Sequence, residues 1–230
     1  MWTNGQLRCL VGALTLAVAL GLVPAVASAT PTDGLVISEI LFNPTGGDNG
    51  DEWVEIFNRS NSSIQLSDYS LGWGRDTYDT GTHVFGSFLL APGATFVIGG
   101  PTSNAANGNP VYGEVYNFAP NLRNGGNNNF ADTVALFFGD IGSSPALTPV
   151  HAVIYGESTA STSLLDEQGA AATILFNTDG FSAGTSIEWL GDESWGVAPS
   201  LNPNVAPIPE PGTALLVGLG LVAIGLRRRR

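Results

Sequence analysis

The sequence predicts an all-β chain folded as a sandwich or barrel, and three observations carry that prediction. Between residues 30 and 206 no stretch sustains the 3.6-residue apolar period of a helix. Short runs of apolar and β-branched residues recur there instead, nine or ten in all. Gly, Asn, Asp, Pro and Ser separate them, as turns require, and no internal repeat of fixed period is present.

Residues 35–42 (LVISEILF) read as a buried strand. Residues 52–58 (EWVEIFN) alternate, setting Trp53, Glu55 and Phe57 on one face and Val54 and Ile56 on the other. Strands are expected next at 64–66, 69–73 and 83–90. The Pro92-Gly93 turn signal then introduces 95–99. Residues 133–138, 150–155, 173–176 and 186–190 complete the series. The Asn/Gly-rich stretches 104–109 and 124–129 read as loops, and 199–209, rich in Pro and Asn, as an extended linker.

The first 29 of the 230 residues have the layout of a secretory signal peptide. A start with one arginine and no acid leads into an almost wholly apolar run at 9–26, closed by Pro24 and the small residues Ala27, Ser28 and Ala29. Cleavage is expected after Ala29. An uncleaved anchor is the competing reading, and the helix-breaking Pro24 opposes it. Cys9, the sole cysteine, lies in this leader, so the mature chain is expected to use no disulfide, thiolate metal site or thiol chemistry. Its stability must come from a hydrophobic core, which 43% apolar composition permits.

Charge narrows the partners. The chain has no lysine, and between residues 29 and 209 only Arg59, Arg75 and Arg123 oppose 19 acids, a net charge of −16. Such a body repels nucleic acid and anionic headgroups. The C-terminus is of another kind. Pro209, Glu210 and Pro211 precede 14 uncharged residues, 213–226, and then Arg227, Arg228, Arg229 and Arg230. As a helix the apolar stretch would reach about 21 Å, short of a hydrocarbon core of about 30 Å. Residues from 207 onward lengthen it, the arginines can snorkel, and four of them make a strong cytoplasmic stop.

The Pro-Glu-Pro step, apolar stretch and arginine cluster together resemble the PEP-CTERM sorting signal of Gram-negative bacteria. The resemblance implies recognition by an exosortase, a membrane sorting enzyme, with processing near the tripeptide. It also implies a destination at the cell surface or in the extracellular polysaccharide matrix, with the C-terminal helix in the membrane at least transiently.

The body resembles a lamin tail domain. "VISEILFNP", "DEWVEIFN" and "IQLSDYSLGW" carry the likeness, followed in order by "FLLAPGATFVIGG", "NNNFADTVALFFGDIG", "HAVIYGES" and "SIEWLGDESWGVAPSLNPN". It implies an immunoglobulin-like β-sandwich over 34–204; residues 205–211 then read as a linker carrying the Pro-Glu-Pro step, and 212–230 as the membrane helix and arginine cluster of the sorting signal. It implies no common ligand.

Candidate chemistry is sparse. Gly180, Ser182 and Gly184 match the G-x-S-x-G pattern of a nucleophile elbow, which requires a strand, a sharp turn and a helix. A strand is expected after Ser182 instead, so the match reads as turn glycines. Asp48, Asp51 and Glu52 are candidate calcium ligands, although their spacing is not that of an EF-hand and a solvated acidic hairpin loop is the simpler reading. Glu39 and Glu55 lie inside apolar strands, on glutamates of the lamin-tail pattern. They are expected to bond backbone groups or an arginine such as Arg59. Trp53, Trp73, Trp189, Trp195 and Tyr69 are candidates for a sugar-stacking platform but read mainly as core, while Tyr78, in the polar run "GRDTYDTGT", is expected to be exposed. His83 and His151, each alone, read as structural.

The function expected is that of an exported, non-enzymatic surface or matrix protein that binds extracellular polysaccharide or surface proteins through the loops of its sandwich. The alternative is a secreted hydrolase using Glu55 or Ser182 on polysaccharide or ester bonds.

Overall fold

The computed structural model describes residues 34–75, 77–124, 131–156, 164–172, 175–178, 181–191 and 194–207. The expected signal peptide with Ala27 and Ala29, the sorting residues Pro209, Glu210 and Pro211, and Arg227, Arg228, Arg229 and Arg230 lie outside them. The described chain is all-β, with two single-turn 3-10 helices at Leu66–Asp68 and Ala105–Asn107. In chain order its strands are β1 Leu35–Leu41, β2 Trp53–Asn58, β3 Ile64–Gln65, β4 Tyr69–Gly74, β5 Gly81–Val84, β6 Leu89–Leu90, β7 Thr95–Gly99, β8 Tyr112–Val115, β9 Ala131–Phe138, β10 His151–Gly156, β11 Phe176–Asn177, β12 Ile187–Gly191 and β13 Ser194–Val197.

Two sheets form an immunoglobulin-like sandwich. One has six strands in the order β13-β12-β1-β2-β7-β8, the other five in the order β11-β10-β9-β4-β5, and β3 pairs β6 separately. Every pairing is antiparallel except β7 with β8 and β10 with β11. Between the sheets, Ile37, Ile40, Val54, Ile56 and Ile98 meet Leu71, Val134, Leu136 and Val153 in one core. Aromatic rings close its end: Phe42 stacks on Tyr155 at 4.5 Å, and Trp73 meets Phe118 edge-on at 5.0 Å. The Trp73 indole N–H donates to Pro120 O at 2.7 Å, so this buried donor is satisfied.

The outer faces are covered as well. Tyr78, Ala135, Phe137, Ile141, Ile154 and Leu164 form a second apolar cluster, and Leu41, Trp53 and Val97 a third, joined by Tyr112 and Leu201. Burial on both faces explains why β1 is buried at all seven positions and reads as a continuous apolar run.

Two strands escape the sequence pattern. β8 (YGEV) and β13 (SWGV) are short, contain glycine and lie at the two edges of the six-stranded sheet. The run expected at 83–90 is split into β5 and β6. Of the strand expected at 173–176, residues 173 and 174 lie outside the described residues. The expected loop at 104–109 is locked by a capping box between Asn104 and Asn107.

Gly81 pairs with Trp73 across β4 and β5, and the indole lies over it: a Cβ there would meet Trp73 Cε2 at 2.2 Å. The ring is 1% exposed and bonded, so it has little freedom to yield. Gly81→Ala is expected to destabilise the domain by about 1–3 kcal/mol, measured as a lower urea midpoint at unchanged slope. A variant as stable as the parent would mean that the indole shifts freely.

Candidate functional site

The outer face of the six-stranded sheet brings two glutamates together. Glu39 and Glu55 face each other across β1 and β2, and Glu188 of β12 flanks Glu39 on its other side. Glu39 and Glu55 are 2% and 1% exposed. Like charges opposed in this way repel unless neutralised. A β-bulge between Ile37 and Glu39 adds one residue to β1, and Ser38 Oγ donates to Glu55 Oε1 at 2.8 Å. Ser186 Oγ donates to Glu39 Oε1.

Residues 198–206 lie across this face as a strap. Ala198 N donates to Ser186 O at 3.1 Å. The Asn202 amide, in the orientation that gives both its ends partners, donates to Glu39 Oε2 at 3.0 Å and to Ser200 O at 2.8 Å. Asn204 N donates to Glu55 Oε2. The Asn204 side chain also accepts from Val111 N at 2.8 Å and donates to Val111 O at 2.9 Å. Leu201 packs with the Leu41, Trp53 and Val97 cluster. The linker expected from Pro199 is therefore docked through Ala206, because its asparagines supply donors to buried carboxyls.

Burial is the main cause that pushes the Glu39 carboxyl up to about 8, opposed by the Ser186 bond and reinforced by Glu55. Burial likewise lifts Glu55 to about 7, against the bonds from Ser38 and Asn204. The expected pairing with Arg59 does not form; that guanidinium lies 5.2 Å over the Trp189 ring instead.

The acidic loop divides. Glu52 is 2% exposed, its Oε2 accepts from Leu122 N at 3.1 Å, and burial, with Asp48 adding to it, pushes its carboxyl up to about 9. Asp48 is partly exposed and accepts from Asn124 Nδ2 at 3.1 Å. Asp51 N donates to Asp48 O at 3.3 Å in the turn. Among the described residues no three acids or histidines gather where they could hold a metal ion, so Asp48, Asp51 and Glu52 do not converge.

The remaining candidates are structural in their contacts. Trp53, Trp73, Trp189, Trp195 and Tyr69 are buried. Tyr78, expected at the surface, is 7% exposed: its turn folds back over Phe137, and its hydroxyl donates to Leu165 O at 2.8 Å. His83 Nε2 lies 2.7 Å from Glu114 Oε1. His151 crosses the sandwich, and its Nδ1 accepts from Ile37 N at 3.0 Å, beside the bulge. Burial, with Arg59 adding to it, depresses that imidazole to about 3, as an unprotonated acceptor requires. Ser182 is exposed in the turn that leads into β12, with Thr185 Oγ1 donating to its carbonyl at 2.6 Å. Both histidines are engaged elsewhere.

Clefts open on the described surface near these residues. A cleft of about 650 Å³ lies between the ends of β2 and β12 and contains Arg59 and Trp189. Smaller ones lie beside the strap, at about 260 Å³, and beside Asp48, at about 300 Å³. Neither Glu39 nor Glu55 lines any of the three.

A family model described as Lamin Tail Domain matches residues 28–192. The chain belongs to the lamin tail domain family. In this lamin tail domain protein a second model, the PEP-CTERM protein-sorting motif, matches residues 207–230, directly after the strap. That motif marks an exosortase-targeted protein of the cell surface or extracellular space. No curated protein and no solved structure matches the chain. Among the described residues no helix is long and apolar enough to cross a membrane.

The strap residues Leu201, Asn202 and Asn204 and the hydroxyls of Ser38 and Ser186 are the part of this site that sequence reasoning missed. Only the Asn-Pro-Asn step at 202–204 hinted at side chains placed to bond.

These carboxyls give stability a definite pH dependence. Glu39, Glu52 and Glu55 hold protons when folded that they release near 4.5 when unfolded, so the folded state binds more protons and stability falls as pH rises from about 5 to 9. Each contributes at most about 1.4 kcal/mol per pH unit inside its own window. His151 acts oppositely, favouring the fold as pH rises from about 3 to 6.5. Melting temperature is expected to fall between pH 6.5 and 9, and less steeply in Glu39→Gln and Glu52→Gln. A profile flat over that range in the parent would contradict the protonated carboxyls.

Proposed function

We propose that this protein is exported, delivered to an exosortase by its C-terminal segment, and displayed on the cell surface or released into the extracellular polymer layer, where its immunoglobulin-like domain adheres without catalysis. The observation that carries the reading is the order of parts: a lamin tail domain at 28–192 followed directly by a sorting motif at 207–230. The acid-rich body suits an extracellular site, and its partners are surface polymers or proteins met by loops of the sandwich rather than nucleic acid.

The buried glutamates support the non-catalytic part. A paired-carboxylate hydrolase needs both carboxyls open to a cleft that admits substrate. Glu39 and Glu55 lie under the strap, with serine and asparagine groups on their oxygens. Ser182 has no histidine to activate it, since His83 and His151 are bonded to Glu114 and Ile37.

Intact-mass analysis of the protein recovered from its native host tests the export and sorting steps. A chain beginning at Thr30 and ending near Glu210 or Pro211 is expected. A chain still ending at Arg230 would overturn the sorting step and leave a membrane-held domain.

A further inference from the structure

The cleft between the ends of β2 and β12 differs in charge from the rest of the body. Between residues 29 and 209 the chain sets 19 acids against three arginines, yet Arg59 lines this cleft and no acid does. The two smaller clefts carry Glu188 and Asp48 on their walls. At physiological ionic strength charges are screened beyond about 8 Å, so a group seated here feels Arg59 more than the distant acids.

The arginine is held ready for a partner. Its backbone N–H donates to Gly34 O at 2.8 Å. Asn58 before it is buried and fastens the loop. Its Nδ2 donates to Ser62 O at 2.8 Å and to Leu90 O at 2.9 Å, and its Oδ1 accepts from Ser60 N at 3.0 Å. The guanidinium lies 5.2 Å over the Trp189 ring. Stacking uses the flat face of the group and leaves its in-plane N–H donors, which form the fork that fits a carboxylate. Among the described residues no carboxylate or carbonyl takes them.

Phe57, Pro92, Trp189 and the exposed Leu190 give the cleft an apolar wall, with Asn61 polar beside it. A pyranose ring matches such a wall, with C–H groups on its faces and hydroxyls around its rim. The volume of about 650 Å³ is that of a small-molecule site. One cation takes one carboxylate, and the acids beyond the cleft disfavour a second close by.

We infer that this cleft binds a uronic acid residue set among neutral sugars, its carboxylate on the Arg59 fork and its ring against the apolar wall. The inference rests on the adhesion reading for its extracellular polymer, and it gives that polymer a site.

The test is an NMR titration of nitrogen-labelled protein recovered from its native host. The probes are cellobiouronic acid and cellobiose, which differ in a carboxylate against a hydroxymethyl group on one ring. Cellobiouronate is expected to bind about tenfold more tightly or better, as a bidentate charge-assisted pair supplies, and to shift the Arg59 Nε–H resonance. Arg59→Gln is expected to bind the two disaccharides alike at a little-changed melting temperature. Arg59→Lys, which keeps the charge without the fork, is expected to fall between. Equal binding of both probes by the parent, or a preference that survives in Arg59→Gln, would overturn the site. Acetyl-Gly-Glu-Gly-amide bound as tightly as cellobiouronate would overturn the sugar as its ligand. Sedimentation of the protein with the host's extracellular polymer separates the two readings. Retention on the polymer with neither disaccharide bound would overturn the cleft alone, and absence of both would overturn adhesion with it.

Discussion

Two glutamates opposed across neighbouring strands, in a place that water does not reach, set the terms for one whole side of this molecule. A facing pair of buried carboxylates is untenable as two free charges. The fold answers in three ways at once. The pair keeps protons that exposed glutamates would lose, the bulge in β1 brings Ser38 to Glu55, and the chain returns after β13 to lay Asn202 and Asn204 over both. Remove the carboxyls and the strap loses two of its reasons to dock; remove the strap and they lose the cover that keeps them neutral.

The same bulge reaches through the sandwich. Beside the extra residue, the Ile37 amide turns to His151 on the opposite sheet rather than to its own. A backbone donor of one sheet is thereby satisfied by a side chain of the other, which joins the two layers by a directional bond as well as by apolar packing. The imidazole has to stay neutral to serve, and its burial ensures that.

Much of the sandwich was legible from the sequence because its central strands are long apolar runs ended by turn residues. β8 and β13 were not, since a four-residue edge strand with a glycine carries no pattern distinct from a loop. Glu39 and Glu55 stood out as acids within apolar runs, and that they would be bonded could be foreseen. Their partners could not, because the asparagines lie about 150 residues away in a stretch whose composition reads as linker. Tyr78 failed for a related reason: its polar neighbours describe the turn, while its own ring follows the fold of that turn onto Phe137. The terminal motif was read from local sequence alone, as a signal addressed to another protein has to be.

Both sheets end in brief strands. β5, β8 and β13 have four residues each and β11 has two, so each free margin offers only a few unpaired amides and carbonyls. Copies crowded together on a surface meet at high local concentration, where a long open margin would template strand-to-strand growth into fibres. With margins this short, the described sheets present little for such growth to start from.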